Sequence, residues 1–416
     1  SGGQATGPIT LTFTGVPSDW SLNQGTNLGN GTWTVQANDL SALTVLTAAA
    51  YSGAMVLGVT ETWTNANGTT GTATVADNVE AYAPGTPIFA LSGNDTLTGA
   101  GGNAEFVFAQ PIGNDAIYNF NVATDKIDLT GFANIASFND IKGSIASDSN
   151  GDAVITVGAG ETITLHGVDA ASLTAADFVF NQTPVVTNAG NMVVSDGAVL
   201  PLSGTIDNTG TIALNSSGDH TELQIIGDGV TLEGGGQLIL SNNAANTIVG
   251  TGPSDTLTNV DNTISGAGQI GSGDGTLTLV NEAHGTIEAN DTGGTLTLET
   301  GTTIINNGVL EALNGGTLQI LDPVIGSGSA IIAGGTLIFD APSNITVTFN
   351  NGPNGTTYGE LVLGDALGFS GKISGFTGTA PGAAHSDAID LAEINYDSSA
   401  FSETYNASSS VLKVTD

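Results

Sequence analysis

One short element returns again and again along the second half of this chain. It has the form Gly-x-apolar-x-apolar. It occurs as Gly210-Thr211-Ile212-Ala213-Leu214, Gly236-Gln237-Leu238-Ile239-Leu240, Gly275-Thr276-Leu277-Thr278-Leu279 and Gly294-Thr295-Leu296-Thr297-Leu298. It continues as Gly316-Thr317-Leu318-Gln319-Ile320, Gly335-Thr336-Leu337-Ile338-Phe339 and Gly359-Glu360-Leu361-Val362-Leu363. Asp255-Thr256-Leu257-Thr258 fills the interval after Gly236. From residue 236 onward the starts fall about twenty residues apart. Strict alternation of apolar and polar residues is the period of a half-buried strand. A fixed period of this length means one supersecondary unit per repeat, which buries its apolar side only by stacking on its neighbours. Asn-rich turns lie between the strands, at Asp207-Asn208-Thr209-Gly210, Asn242-Asn243, Asp261-Asn262 and Asn306-Asn307-Gly308. Asn tolerates left-handed turn geometry, and its side chain can hydrogen-bond along a stack. Residues 182–416 therefore read as a β-solenoid. A leucine-rich repeat has a similar period, but its helical half and its Leu-x-x-Leu-x-Leu spacing are missing.

Charge narrows the partners. The 416 residues hold 40 Asp and Glu against four Lys (Lys126, Lys142, Lys372 and Lys413) and no Arg, a net charge of −36. Such a chain repels itself unless something neutralises it. Hard divalent cations, which take carboxylate and carbonyl oxygens, are the natural counter-charge. Nucleic acid is excluded as a partner, since phosphate contacts need Lys and Arg. An anionic membrane surface is disfavoured for the same reason. No apolar run reaches about 18 residues, so no transmembrane segment is expected. Ser1-Gly2-Gly3-Gln4 does not open a signal peptide. The absence of Cys fits many exported proteins but does not decide the compartment.

Residues 1–85 read as a small β-domain carrying all three tryptophans, Trp20, Trp33 and Trp63. Ile9-Thr10-Leu11-Thr12-Phe13 and Thr32-Trp33-Thr34-Val35 alternate, and Asn30-Gly31 before the second suits a hairpin turn. Short strands at this spacing suggest an immunoglobulin-like sandwich. The order of these elements, with Tyr51-Ser52-Gly53 and a long Val-Thr-Glu-Thr strand after them, resembles the Ig-like modules of large bacterial adhesins. Pro84-Gly85-Thr86-Pro87 reads as a linker.

Residues 86–181 have a different texture. Ser92-Gly93-Asn94-Asp95-Thr96-Leu97 leads into Gly101-Gly102-Asn103-Ala104-Glu105-Phe106, and then Gly113-Asn114-Asp115-Ala116-Ile117. Asp125-Lys126-Ile127-Asp128-Leu129 follows, and the segment closes on Leu165-His166-Gly167-Val168 and Ala176-Asp177-Phe178-Val179-Phe180. In such a repeat a Gly-rich turn exposes carbonyls, an Asp closes the turn, and the next apolar residue enters the core. This succession resembles the terminal RTX module of type I-secreted proteins, also found behind the protease domain of serralysins. The resemblance implies a parallel β-roll whose stacked turns share Ca²⁺, with Asp95, Asp115, Asp125 and Asp128 as its ligands. The blander reading is that these are turn-capping Asp residues. Ala104 stands where the repeat wants Asp, and Asn119 where Asp is usual, so fewer ions are expected than in a full array.

Other oxygen-rich stretches carry less. Asp148-Ser149-Asn150-Gly151-Asp152 imitates half of an EF-hand loop but lacks the Glu at its twelfth position and the helical flanks, so a hairpin turn is the better expectation. Ser386-Asp387-Ala388-Ile389-Asp390-Leu391 echoes Thr124-Asp125-Lys126-Ile127-Asp128-Leu129, which fits either a second ion or a shared way of opening a strand. His166, His220, His284 and His385 lack metal spacing, and no nucleophile elbow, phosphate loop or zinc-protease pair is present. The solenoid resembles β-strand-repeat regions of large proteobacterial surface proteins. The scarcity of cations argues against an acid-polysaccharide lyase. A glycosidase remains open in principle, though nothing in the sequence selects a carboxylate pair.

The expectation is an all-β, non-enzymatic, calcium-dependent structural or adhesive protein, extracellular or on a bacterial cell surface, exported by type I secretion. Its alternative is a polysaccharide-binding or glycoside-cleaving β-helix. A cell-surface polysaccharide and a second copy of the chain are the expected partners. Self-association would run head to tail into filaments or a lattice, through an uncapped strand at Ser410-Val411-Leu412-Lys413-Val414-Thr415-Asp416.

Overall fold

The computed structural model describes residues 9–37, 43–99, 102–253, 255–355, 357–377, 386–409 and 411–415. The expectations placed on His385, Ser410 and Asp416 lie outside them. The protein is all-β with a β-solenoid, and the chain divides into two units, Ser1–Asp228 and Gly229–Asp416.

The first unit opens with β1 (Ile9–Thr14), β2 (Ser21–Leu22), β3 (Thr26–Gly29), β4 (Thr32–Ala37), β5 (Val45–Leu46), β6 (Gly53–Thr64) and β7 (Thr70–Ala81). Antiparallel pairing gives the order β3–β4–β1–β6–β7. One side of this sheet turns Leu11, Phe13, Val35 and Leu57 onto Val16 and Trp20 to form a local core. Among the described residues, β2 and β5 pair only with each other, through two residues each.

Next come β8 (Ile88–Phe89), β9 (Thr96–Thr98), β10 (Glu105–Ala109), β11 (Asn114–Tyr118), β12 (Lys126–Gly131), β13 (Ile145–Ser147), β14 (Ala153–Gly158), β15 (Glu161–Leu165) and β16 (Phe178–Val179). The chain crosses at every turn between two parallel ladders, β8–β10–β12–β16 and β9–β11–β15. Antiparallel β14 and β13 extend the second ladder. Phe106, Phe108, Ile117, Ile127, Leu129, Ile163 and Leu165 fill the space between the sheets. This is the geometry of a parallel β-roll.

The unit continues into solenoid coils through β17 (Val185–Asn188), β18 (Asn191–Ser195), β19 (Val199–Asn208) and β20 (Thr211–Asn215). β17 pairs with β19 and β18 with β20, all parallel. The opening coil is covered on one side. The edge of β6 that pairs with β1 at residues 58–62 pairs with β18 at Gly53 and Ala54. Gly53 permits this approach: a Cβ there would stand 1.9 Å from the Val193 carbonyl oxygen. The Asn78 side chain reproduces a strand contact to the next strand, donating to the Val199 carbonyl at 2.8 Å and accepting its N–H at 2.9 Å. Tyr82 donates to the Pro201 carbonyl. The N-terminal sheet thus supplies the cap that the first coil of a solenoid requires.

The second unit is a solenoid with three parallel faces. On one, Leu257 lies beside Leu279 and Val280 beside Ile305. On a second, Ile264, Ile287, Leu310, Ala330, Val347 and Ile373 stack in succession. On the third, Leu296, Leu318, Leu337, Leu361 and Ile389 do the same. Strand after strand alternates buried and partly exposed residues. Buried Asn side chains stack at the corners: Asn259 donates to Asn281 Oδ1 at 2.9 Å and Asn281 to Asn306 Oδ1 at 2.8 Å. The same device joins Asn188 to Asn208 in the first unit. The stack ends at the strands Ile373–Ser374 and Ala388–Leu391. Beyond it, Ser402–Asn406 and Val411–Thr415 form an antiparallel hairpin, so the alternating C-terminal segment pairs within the chain rather than forming a solenoid coil. No helix among the described residues is long and apolar enough to cross a membrane.

Candidate metal centre

Two glycine corners of the roll lie one above the other. Gly113 N–H donates to the Gly93 carbonyl at 2.7 Å and Asn114 N–H to Asn94 Oδ1 at 2.7 Å. Asp95 N–H donates to Asp115 Oδ1 at 2.8 Å, and Ala116 N–H to the Asp95 carbonyl at 2.8 Å. Only Gly fits at 113, since a Cβ would sit 2.1 Å from Asn94 Oδ1. Leu97 and Ile117, paired in register, then turn into the core. This is the order of residues the repeat demands: glycine for the close approach, Asp for the corner, an apolar residue for the interior.

The corner leaves carboxylate oxygens without partners. Oδ2 of both Asp95 and Asp115 is buried and accepts no hydrogen bond. Asp115 is only 1 % exposed. Burial pushes its carboxyl up to about 7; the Asp95 N–H opposes this, and the Asp95 and Glu161 charges reinforce it. Burial also raises Asp95. Glu80, on β7, is pushed up to about 8, by burial first and then by the Asp95 charge, against hydrogen bonds that include one from the Asn78 side chain. The group is therefore partly dehydrated and short of donors, and burial resists ionisation of all three carboxyls. Sequence reasoning missed Glu80, which sits in a plain alternating strand with no motif around it.

Asp125 and Asp128 are placed elsewhere. Asp125 closes the other corner of the roll, before β12. Its Oδ1 accepts from Ala104 N–H at 3.0 Å and from the Thr124 hydroxyl at 3.1 Å, and its Oδ2 from Asn121 N–H at 2.9 Å. In register with it stands Ala104, which brings no second carboxylate. Asp125 is a turn cap with both oxygens engaged. Asp128 lies within β12 between Val107 of β10 and Val179 of β16, at 0 % exposure. Its Oδ1 accepts Thr130 N–H at 2.7 Å, and its Oδ2 is buried without a partner. Burial raises its carboxyl, as it does that of Glu105, which the Asp128 charge raises further. The four expected ligands thus form a pair, a cap and a strand residue. Among the described residues no three His, Asp or Glu converge as a metal cage. A Ca²⁺ ion at the pair would draw on carbonyls and water besides the two carboxylates, as its coordination of six to eight oxygens allows.

The remaining oxygen-rich stretches have structural roles. Asp148–Asp152 is the hairpin between β13 and β14, with Asp148 Oδ1 accepting from Asn150 and Asp152 N–H. Asp152 Oδ2 lies 2.7 Å from His166 Nδ1, and the His166 ring stacks on Tyr118. Asp387 accepts from the Asn351 side chain and from Gly359 and Thr377 N–H. In the second unit Glu288 and Glu311 are register neighbours on adjacent coils; burial raises both, and the Glu288 charge further raises Glu311. Comparison of the chain with protein-family models, curated proteins and solved structures finds no match.

Proposed function

We propose that this chain is a calcium-dependent structural or adhesive protein of a bacterial cell surface or extracellular matrix, delivered by type I secretion. The reading takes residues 1–85 as an Ig-like module, 86–181 as an RTX-type module that Ca²⁺ rigidifies after export, and 182–416 as a non-catalytic solenoid. The observation that carries it is the pair of buried, unpartnered Oδ2 atoms on Asp95 and Asp115, in a chain of net charge −36. A cation there supplies what the fold withholds, and binding to the native state alone stabilises it by mass action. Self-association and attachment to a cell-surface polysaccharide are the roles this reading assigns to the repetitive solenoid surface.

Thermal melting in Ca²⁺ and in EGTA tests this reading. The expected outcome is a higher melting temperature in Ca²⁺, with metal retained on elemental analysis. Equal melting temperatures and no retained metal overturn it. One observation favours the alternative of a glycoside-cleaving β-helix: Glu288 and Glu311 are register neighbours on adjacent coils, which puts two carboxylates side by side as a glycosidase requires. Loss of glycoside turnover in Glu288→Gln would establish that alternative.

A further inference from the structure

The two ends of the solenoid differ. At the opening coil, β18 carries β6 on its outer edge, and Asn78 and Tyr82 engage Val199 and Pro201. Among the described residues β17, with Val185 at 56 % exposure, pairs with β19 alone. At the terminal coil, Ile373–Ser374 and Ala388–Leu391 each pair on one side, with Val347–Thr348 and Glu360–Leu363. Among the described residues no strand pairs with their other side. The apolar columns that are fully buried further back emerge here: Ile389, stacked on Leu361, is 38 % exposed, and Phe376, packed edge-on against Phe349, is 52 % exposed. Leu367, Tyr396 and Tyr405 are exposed in the same stretch of chain.

We infer that the terminal coil is the contact surface for a second copy of this chain, joined end to end about a two-fold axis through Ile389. The inference rests on the self-associating, structural reading above and changes its geometry. A free strand edge with apolar residues beside it is a template for strand addition. Head-to-tail stacking needs an open first coil, and there β6 pairs with β18 at Gly53 and Ala54 while Asn78 and Tyr82 hold the next strand. The remaining way to cover the terminal coil with the same chain is against itself, an isologous contact that closes at two.

Register follows from parity. Antiparallel pairing of Ala388–Leu391 with its copy keeps core-facing residues in line only when it is centred on a residue. Centring on Asp390 would set two carboxylates opposite each other. Centring on Ile389 sets Asp390 opposite Ala388 of the second copy and continues the Leu361–Ile389 column across the axis. Lys372, one of only four cations in the chain, immediately precedes the Ile373–Ser374 strand. Lys372 and Asp390 give the terminal coil both signs of charge, so an isologous contact need not set only like charges against each other.

The chain has no cysteine, so single substitutions report the geometry directly. Ile389→Cys in the full chain, under mild oxidation at about 0.15 M salt to screen the net charge, should cross-link to twice the monomer mass and no further. Val185→Cys alone should not cross-link. Light scattering of the unsubstituted chain should show the same two-fold mass. Cross-linking that appears only when Ile389→Cys and Val185→Cys chains are mixed would mean head-to-tail assembly and overturn the inference, as would a strictly monomeric chain at high concentration. Running each arm in Ca²⁺ and in EGTA separates the claims: dimers without any metal response retain the interface and reject the calcium reading, and a metal-binding monomer does the reverse.

Discussion

Asp115→Asn is the sharpest probe of the glycine corner, because the substitution keeps shape and removes charge. Raising the Asp115 carboxyl from 3.8 to about 7 means that the native state holds this proton more tightly than the unfolded chain does. The resulting stability is fully present below the unfolded value and is lost as pH rises through about 7. At pH 8 without metal, the ionised group costs about 4 kcal/mol relative to its neutral form. An amide in its place avoids that cost but leaves an N–H₂ group to satisfy, a loss of about 1–3 kcal/mol. The variant should therefore be the more stable protein in EGTA at pH 8, by roughly 1–3 kcal/mol. In a unit of this size that is about 2–4 °C in Tm for each kcal/mol. Ca²⁺ at about a thousand times Kd should reverse the order, since it adds about 4.1 kcal/mol to the unsubstituted protein. The assay is thermal unfolding by circular dichroism between pH 4 and 8, with and without Ca²⁺. A variant that is less stable than its parent in EGTA at pH 8 would refute the argument that Asp115 is a dehydrated, uncompensated charge.

Three further expectations rest on contacts in the two units. Asp125→Ala should destabilise the protein equally with and without Ca²⁺, by about 1–3 kcal/mol, because it strips acceptors from the N–H groups of Ala104 and Asn121; calorimetric titration should find calcium affinity reduced by Asp95→Ala and Asp115→Ala but unchanged by Asp152→Ala, whose carboxylate holds His166 and Gly167. Asn281→Ala, in the second unit, interrupts the Asn259–Asn281–Asn306 stack at its centre and should cost about 2–4 kcal/mol in denaturant unfolding, leaving the calcium response of the first unit intact.

Much of the architecture was legible in the chain. Alternation exposed the strands, because a strand with one buried face repeats every two residues wherever it sits. Gly-Asn-Asp followed by an apolar residue at 93–97 and 113–117 marked stacked corners, because only glycine admits the neighbouring backbone. Asn-rich turns pointed to amide hydrogen bonds along the stack, although of Asn259, Asn281 and Asn306, which form it, only Asn306 lies in one of the turns read from the sequence.

Placement in space was decided by tertiary structure alone. The near-twenty spacing marked a stack of coils without assigning its strands to faces: Leu238 stacks on Ile264, Leu257 on Leu279 and Leu296 on Leu318, each on a different face. Every face asks for the same alternation, so sequence cannot say which face a strand occupies. Asp95, Asp115, Asp125 and Asp128 look equivalent as letters; one became a fully engaged cap because its register neighbour is Ala104, and another was buried between Val107 and Val179. Glu80 carried no sign of its role, since its charge matters only where β7 brings it near Asp95. The cap on the opening coil was equally hidden: it depends on Gly53 meeting the Val193 carbonyl across more than a hundred residues of chain. Local periodicity is set by backbone geometry and can be read from the residues, whereas burial, pairing and charge environment depend on which distant segment arrives next to them.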